Sequence, residues 1–396
     1  MRYLDALYLD NAATAPVRRE VLEAMAPHLT TEFGNPSSRH GAGERAANAL
    51  EDARSRVAAV VGMRRGDIVF TSGGTEANNL AVKGVAVAAM LERRRRDHVR
   101  HPPASAGHIV ITSIEHESVL RSAAHLEAVH GIEVGVVPVD RHGLVDPADV
   151  GETIRDDTEL VSVAYANNEV GTVQDLVGIR AAIGRIPLHT DAVQAAGWLP
   201  LSGLPVDALT IAGHKIGAPK GTGALAVRGR VPIEPLLHGG GQERGRRSGT
   251  ESVAGAVALA TALELAESER VANAERVGAL RDELITRVLA LVPSARLTGH
   301  PTRRLPGTAS FTFAGADGPG TSGEAVLLEL ERRGVLSSSG SACAAGSSDP
   351  SHVLLGMGVS ADAAQTALRI SLAHDHRTRL VDVAEAVAAS VAAVHR

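Results

Sequence analysis

The chain has 396 residues, too many for one small core and enough for two or three domains. Hydrophobic residues make up 44% and charged residues 21%, a balance that excludes disorder over the whole length. The 40 lysines and arginines against 45 acids leave a net charge of −5, so no overall basic field points to nucleic acid, and the single cysteine excludes an intrachain disulfide and fits a reducing cytoplasm.

The opening MRYLDALYLDNAATAP has no charged segment followed by an apolar one, so no secretory leader is expected. Apolar periodicity predicts a helix over Gly43–Val61, a strand over Asp67–Thr71 and a second helix over Glu76–Leu91. That second apolar stretch is broken by Lys83, so no membrane span is expected. Arg93–Gly107 is basic and then Pro/Ala/Ser-rich, the composition of a solvated loop; it has no aromatic residue for base stacking, so direct nucleic-acid binding is not expected. A strand follows at His108–Ser113, a helix at Glu117–His130, and strands at Glu133–Pro138, Leu160–Ala164, Pro187–Asp191, Ala208–Ala212 and Gly223–Arg228. One long helix, Val253–Leu289, comes next and is long enough to connect two domains. This alternation predicts an α/β fold with a largely parallel sheet. Beyond Leu289 the pattern turns to Pro- and Gly-punctuated strands and shorter helices, as in a smaller C-terminal α/β domain. There, Gly/Ser-rich ends of the stretch Gly315–Pro350 flank a short helix near Glu324–Arg333.

Several of these elements end in residues with chemistry. Phe70-Thr71-Ser72-Gly73-Gly74-Thr75-Glu76 reads as strand, glycine turn, helix, an arrangement whose free backbone N–H groups attract phosphate; a capped structural turn looks the same. It matches neither the dinucleotide nor the ATP-loop pattern. Asp191 ends an apolar strand, where it can hold a heteroaromatic ring nitrogen protonated or simply cap a helix. Lys215 follows the next strand and is placed to form a Schiff base with an aldehyde cofactor, whereas Lys220 reads as a surface lysine or phosphate clamp. His116 can stack on a planar ring, although 17 histidines leave room for a structural role. Cys343 lies in Ser337-Ser338-Ser339-Gly340-Ser341-Ala342-Cys343, among small polar residues rather than in the apolar run of a packing cysteine. Its thiol, with an ordinary pKa of about 8.5, needs nearby cationic or imidazole groups to become a nucleophile at neutral pH.

Taken together and in order, these motifs resemble those of the cysteine desulfurases, fold-type I pyridoxal-phosphate enzymes of the class-V aminotransferase group. The likeness runs through Tyr8–Thr14, Gly34–Ser38, the Thr75 turn, Glu115-His116, Asn167–Glu169, Asp191–Gln194, His214-Lys215, His238–Arg244, Arg247–Thr250, the Ser-Gly-Ser-Ala-Cys stretch and Arg369. It implies a large cofactor-binding domain over residues 16–262 and a small domain, residues 1–15 and 263–396, carrying the cysteine loop. It also implies that Lys215 holds pyridoxal 5'-phosphate as an internal aldimine, with Asp191 on the pyridine nitrogen and Gln194 on the phenolic oxygen. His116 would stack on the ring and relay protons. Gly74, Thr75 and His214 would bind phosphate, joined by Thr250 from the second subunit of a homodimer. Asn168, Arg369 and Asn35 would serve the substrate, with Asn168 also against the cofactor. L-cysteine would lose its sulfur to Cys343 as a persulfide, leaving alanine, and the sulfur would pass to an iron–sulfur scaffold or a thiolation protein. No metal is implied.

Two departures stand out. Ala212 takes the place of a common phosphate-binding serine, and the Arg93–Gly107 insertion is longer and more basic than usual. The cysteine stretch resembles the long-loop branch, which includes the iron–sulfur and nitrogen-fixation types. An aminotransferase or selenocysteine lyase on the same fold would keep Lys215 and Asp191 without needing Cys343, and a non-catalytic scaffold would need none of the three.

Overall fold

A computed structural model describes residues 6–97, 106–313, 322–340 and 349–394. Cys343, the middle of the basic insertion and parts of the Gly315–Pro350 stretch lie outside the described residues.

The main sheet has seven strands. In spatial order they are Ile68–Thr71, Gly223–Val227, Ala208–Ala212, Leu188–Asp191, Thr158–Ser162, His108–Thr112 and Glu133–Val137. All run the same way except Gly223–Val227, which is antiparallel to both neighbours. The expected parallel sheet is therefore present with one reversed strand. An apolar run buried on both faces reads the same in either direction, which is why the sequence pattern does not reveal the reversal.

Strand side chains alternate between two cores, as a period of two requires. Ile68, Val110, Val161 and Ala224 join one cluster, while their neighbours Val69, Ile109, Leu160 and Leu225 join the other. The first cluster is covered by the helix Gly41–Val61 and the start of the long helix Val253–Leu291. The second packs against a helical stretch built of Gly74–Asn79, a π-helical turn Leu80–Gly84 and Val85–Asp97. A π-turn also closes the helix that starts at Glu117, over Leu126–His130.

The long helix changes partners along its length. Val253–Ala266 packs in the first cluster, and Val277–Val288 packs in a further core with Leu9, Phe311, Phe313, Leu368 and Val387. That further core carries an antiparallel sheet in the order Leu368–Ser371, Thr308–Phe313, Ala295–Leu297, and a terminal helix, Val381–Val394. The N-terminal strand Leu7–Tyr8 pairs in parallel with Val335–Leu336. The short helix expected near Glu324–Arg333 is present as Gly323–Arg332, capped by Ser322 accepting from the Ala325 N–H.

Candidate active site

In a parallel sheet every strand delivers its following loop to one edge. Here that edge receives, from successive strands, Gly74 after Ile68–Thr71, His116 after His108–Thr112, Asn168 after Thr158–Ser162, Asp191 at the end of Leu188–Asp191, and Lys215 after Ala208–Ala212. All five line one cavity of about 390 Å³, together with Thr75, Gln194 and His214. Arg369 enters the same cavity from the small sheet, so the two sheets meet across it. Asn35 and Thr250 do not line it. Asn35 is exposed and its Oδ1 accepts from the Ser37 N–H at 2.9 Å. Thr250 is also exposed and borders a separate cavity of about 130 Å³ with Ser72, Gly221 and Arg247.

The glycine turn is tightly built. Gly73 has φ of +150°, a conformation that side chains disfavour. A Cβ on Gly74 would come within 2.9 Å of Val193 Cγ2 and 3.3 Å of Ala212 Cβ. The backbone of the helix start is thus left bare towards the cavity, as an anion site requires. Ala212 lines the cavity beside it and has no hydroxyl to add.

Asp191 is nearly buried, and both carboxylate oxygens are engaged. Oδ1 accepts from the Val193 N–H at 2.9 Å and Oδ2 from Asn78 Nδ2 at 2.6 Å. Lys215 donates from Nζ to the Ala12 carbonyl and to the Ala13 carbonyl, the latter at 2.7 Å. The N-terminal turn that supplies these carbonyls is itself held by Gln194, whose Nε2 donates to Ala12 at 3.0 Å, and by Ser371, whose Oγ accepts from the Ala12 N–H. By contrast, Lys220 is exposed and outside the cavity. Burial, reinforced by the positive charges of Lys215 and Lys220, holds the His214 imidazole down at about 4. It is therefore neutral at physiological pH and able to act as a hydrogen-bond partner without repelling Lys215.

Arg369 is buried, with a charge partner that its sequence position does not announce. Nη2 pairs with Asp10 Oδ1 at 2.8 Å and Nη1 donates to the Asn168 carbonyl at 2.9 Å, while Nε is buried with no partner among the described residues. Glu115, one residue before His116, is fully buried; desolvation pushes its carboxyl up to about 7 against the pull of bonds from Thr112 and the Ala164 N–H. Sequence reasoning missed Asn78, Ser118 and Asp10 as site residues. The available signal for Asn78 was a polar residue on the helix face that also carries Ala77 and Ala81, both buried. Asp10 and Arg369 are 359 positions apart, a separation no local pattern bridges.

These features define an α/β protein whose strand ends surround a lysine, an acid and a bare helix start, a setting suited to an anionic aromatic cofactor. The aminotransferase class-V family model matches residues 7–383. A cysteine desulfurase IscS of Methanosarcina thermophila is 44% identical over 381 residues, which is 95% of this chain and 89% of the relative. An IscS-like cysteine desulfurase of Mycobacterium tuberculosis is 43% identical and covers 98% of this chain and 97% of the relative. A solved structure described as a NifS-like protein superposes with a TM-score of 0.85 at 35% identity, over 98% of this chain and 99% of that one. The chain belongs to the class-V aminotransferase family, and within it to the cysteine desulfurases.

Family membership implies pyridoxal phosphate. The residues present fit it: the cavity holds an acid for a ring nitrogen, an amine for an aldehyde, and a glycine start that any side chain would fill.

Proposed function

We propose that the protein takes sulfur from L-cysteine, releasing L-alanine, and passes it through Cys343 to an acceptor protein. The observation that carries this reading is the convergence of Lys215, Asp191, His116 and Arg369 on one cavity, in a chain whose relatives are cysteine desulfurases.

When bound, pyridoxal phosphate supplies an aldehyde for the substrate amine and a ring that takes up electrons when the α-proton leaves. Lys215 is the attachment point, and its Nζ then removes the α-proton. Asp191 keeps the ring nitrogen protonated, Gln194 bonds the phenolic oxygen, and His116 stacks on the ring. Gly74, Thr75 and His214 take the phosphate. Asn168 and Arg369 hold the substrate carboxylate, the arginine as a fork of two donors. The Cys343 thiolate attacks the substrate sulfur, so that the carbon–sulfur bond breaks as a sulfur–sulfur bond forms on the enzyme.

Thr250 joins the phosphate site from the second subunit of a homodimer, a reading supported by its exposure in the single chain beside a second cavity, and Asn35 serves the substrate. The same reading divides the chain into residues 16–262 and residues 1–15 with 263–396. It is supported by the long helix passing from one core to another between Ala266 and Val277, and by the pairing of Leu7–Tyr8 with Val335–Leu336. The acceptor is an iron–sulfur scaffold or a thiolation protein, and the setting is the cytoplasm. Among the described residues no helix is long and apolar enough to cross a membrane.

The test is single-turnover chemistry on the cofactor-loaded protein. L-cysteine should yield one alanine per persulfide found on Cys343 by mass spectrometry, and Cys343→Ala should keep the cofactor but lose sulfur release. Full sulfur release by Cys343→Ala would overturn the assignment.

A further inference from the structure

Four polar side chains in the wall of the cavity form one chain of hydrogen bonds. Asn78 Nδ2 donates to Asp191 Oδ2 at 2.6 Å and to Ser118 Oγ at 2.9 Å. Ser118 Oγ lies 2.8 Å from His116 Nδ1, and the Ser118 backbone N–H donates to the same nitrogen at 3.1 Å. Asn78 and Ser118 are buried, so water does not scramble these partners.

The direction of each bond follows from chemistry. An ionised carboxylate only accepts, so the Asn78 amide must turn its nitrogen to Asp191. The second hydrogen of that nitrogen then goes to Ser118 Oγ, whose own proton is left for His116. Nδ1 of His116 thus accepts from a hydroxyl and from a backbone amide. A nitrogen accepting two hydrogen bonds is unprotonated, so the neutral ring carries its proton on Nε2.

We propose that Asn78 and Ser118 are positioning residues that fix His116 as the Nε2–H tautomer and tie its ring to the same amide that holds Asp191. This rests on the functional reading above and deepens it. His116 meets the substrate as a proton donor, and its Nε2 can take a proton only after giving one up. Removal of the α-proton is therefore left to Lys215. Forming the imidazolium would place a proton on Nδ1 against the Ser118 N–H, which cannot turn away because it belongs to the first turn of the helix Glu117–His125. The charged and titratable groups around His116 are Glu115 and the Glu117–His352 pair on its own side, and Asp191, His214, Lys215 and Arg369 around the cavity.

The experiment uses holoenzyme with ¹⁵N-labelled histidine, with His116→Gln to identify the His116 signals. The wild type should show a protonated Nε2 and a bare Nδ1 through neutral pH. Ser118→Ala keeps the backbone N–H but loses the hydroxyl, so the Nδ1 resonance should shift from its wild-type position while Nε2 stays protonated. The substitution should also move the acid limb of the kcat profile up by about half to one pH unit, the size of one lost hydrogen bond. Ser118→Thr, which restores the hydroxyl, should return both to wild type. A protonated Nδ1 in the wild type, or Ser118→Ala indistinguishable from it in both spectrum and profile, would overturn the proposal. The tautomer is read without any sulfur chemistry, so failure here is distinguishable from failure of the desulfurase reading.

Discussion

Removing Asp10 tests how Arg369 is kept in place. The Asp10→Ala substitution takes away the carboxylate that, among the described residues, pairs at 2.8 Å with a guanidinium whose side chain is 3% exposed, from an aspartate that is itself 20% exposed. At an effective dielectric of about 20 the direct attraction at that distance is about 6 kcal/mol, and the desolvation already incurred by Arg369 offsets part of it. Breaking a fully buried pair costs about 3–5 kcal/mol; the partial exposure of Asp10 lowers this to about 2–3 kcal/mol. The carbonyls of Asn168 and Gly340, at 2.9 and 3.5 Å, remain as partners but supply dipoles rather than charge. The Tm of the holoenzyme should therefore fall by about 2–4 °C, given the unfolding entropy of a chain of 396 residues. Two further measurements discriminate the cause. Asp10→Ala/Arg369→Met should melt above Asp10→Ala, because no unpaired charge is left buried. Added L-alanine, whose carboxylate can replace Asp10, should raise the Tm of Asp10→Ala more than that of the wild type. If Asp10→Ala melts with the wild type, or the double variant melts below it, Arg369 does not depend on this pair and the reasoning is wrong.

Glu115 gives a pH signature. Its folded carboxyl sits at about 7, mainly through burial, against about 4.3 in an unfolded chain, so between those values the folded state holds the extra proton. The contribution is fully present below about 4.3 and is lost as pH rises through about 7, on the order of 3 kcal/mol. The Tm difference between wild type and Glu115→Gln should shift in favour of the variant across that window, and a constant difference would refute it. Arg54 forms two bonds to Glu243, at 2.6 and 2.9 Å, with both side chains almost fully buried. Arg54→Met should cost about 3–5 kcal/mol in thermal unfolding, with Arg54→Lys in between. Gly74→Val would press its Cβ on Val193 Cγ2 and intrude on the phosphate site. Titration of apoenzyme with pyridoxal phosphate should show at least a tenfold loss of affinity while the stability without cofactor falls by only about 1–3 kcal/mol. Lys215→Ala should abolish alanine formation and the visible absorbance of the attached cofactor.

Much of the fold was legible because burial imposes simple periods. The strand Ala208–Ala212 has the bounds its apolar run predicts, and the helices from Glu117 and Val253 begin where expected. Less legible were the π-turns at Leu80–Gly84 and Leu126–His130, since a helical period of 3.6 does not register one wider turn. The helices Leu176–Ile183 and Val381–Val394 were also missed: the first is too short for a clear pattern, and the second is apolar nearly all round.

For the site, residue type and strand ends were enough to single out Lys215, Asp191 and His116, because parallel strands must deliver their ends to one edge and few residues can carry that chemistry. Tertiary structure alone decided which other groups touch them. Asp10 reaches Arg369 across 359 positions, Asn78 joins Asp191 to Ser118 across 113 and 40, and the Ala12 and Ala13 carbonyls meet Lys215 only because the N-terminal turn folds over the cavity. A sequence pattern records what each residue can do locally; hydrogen bonds between distant segments depend on a few tenths of an ångström that only the packed chain sets.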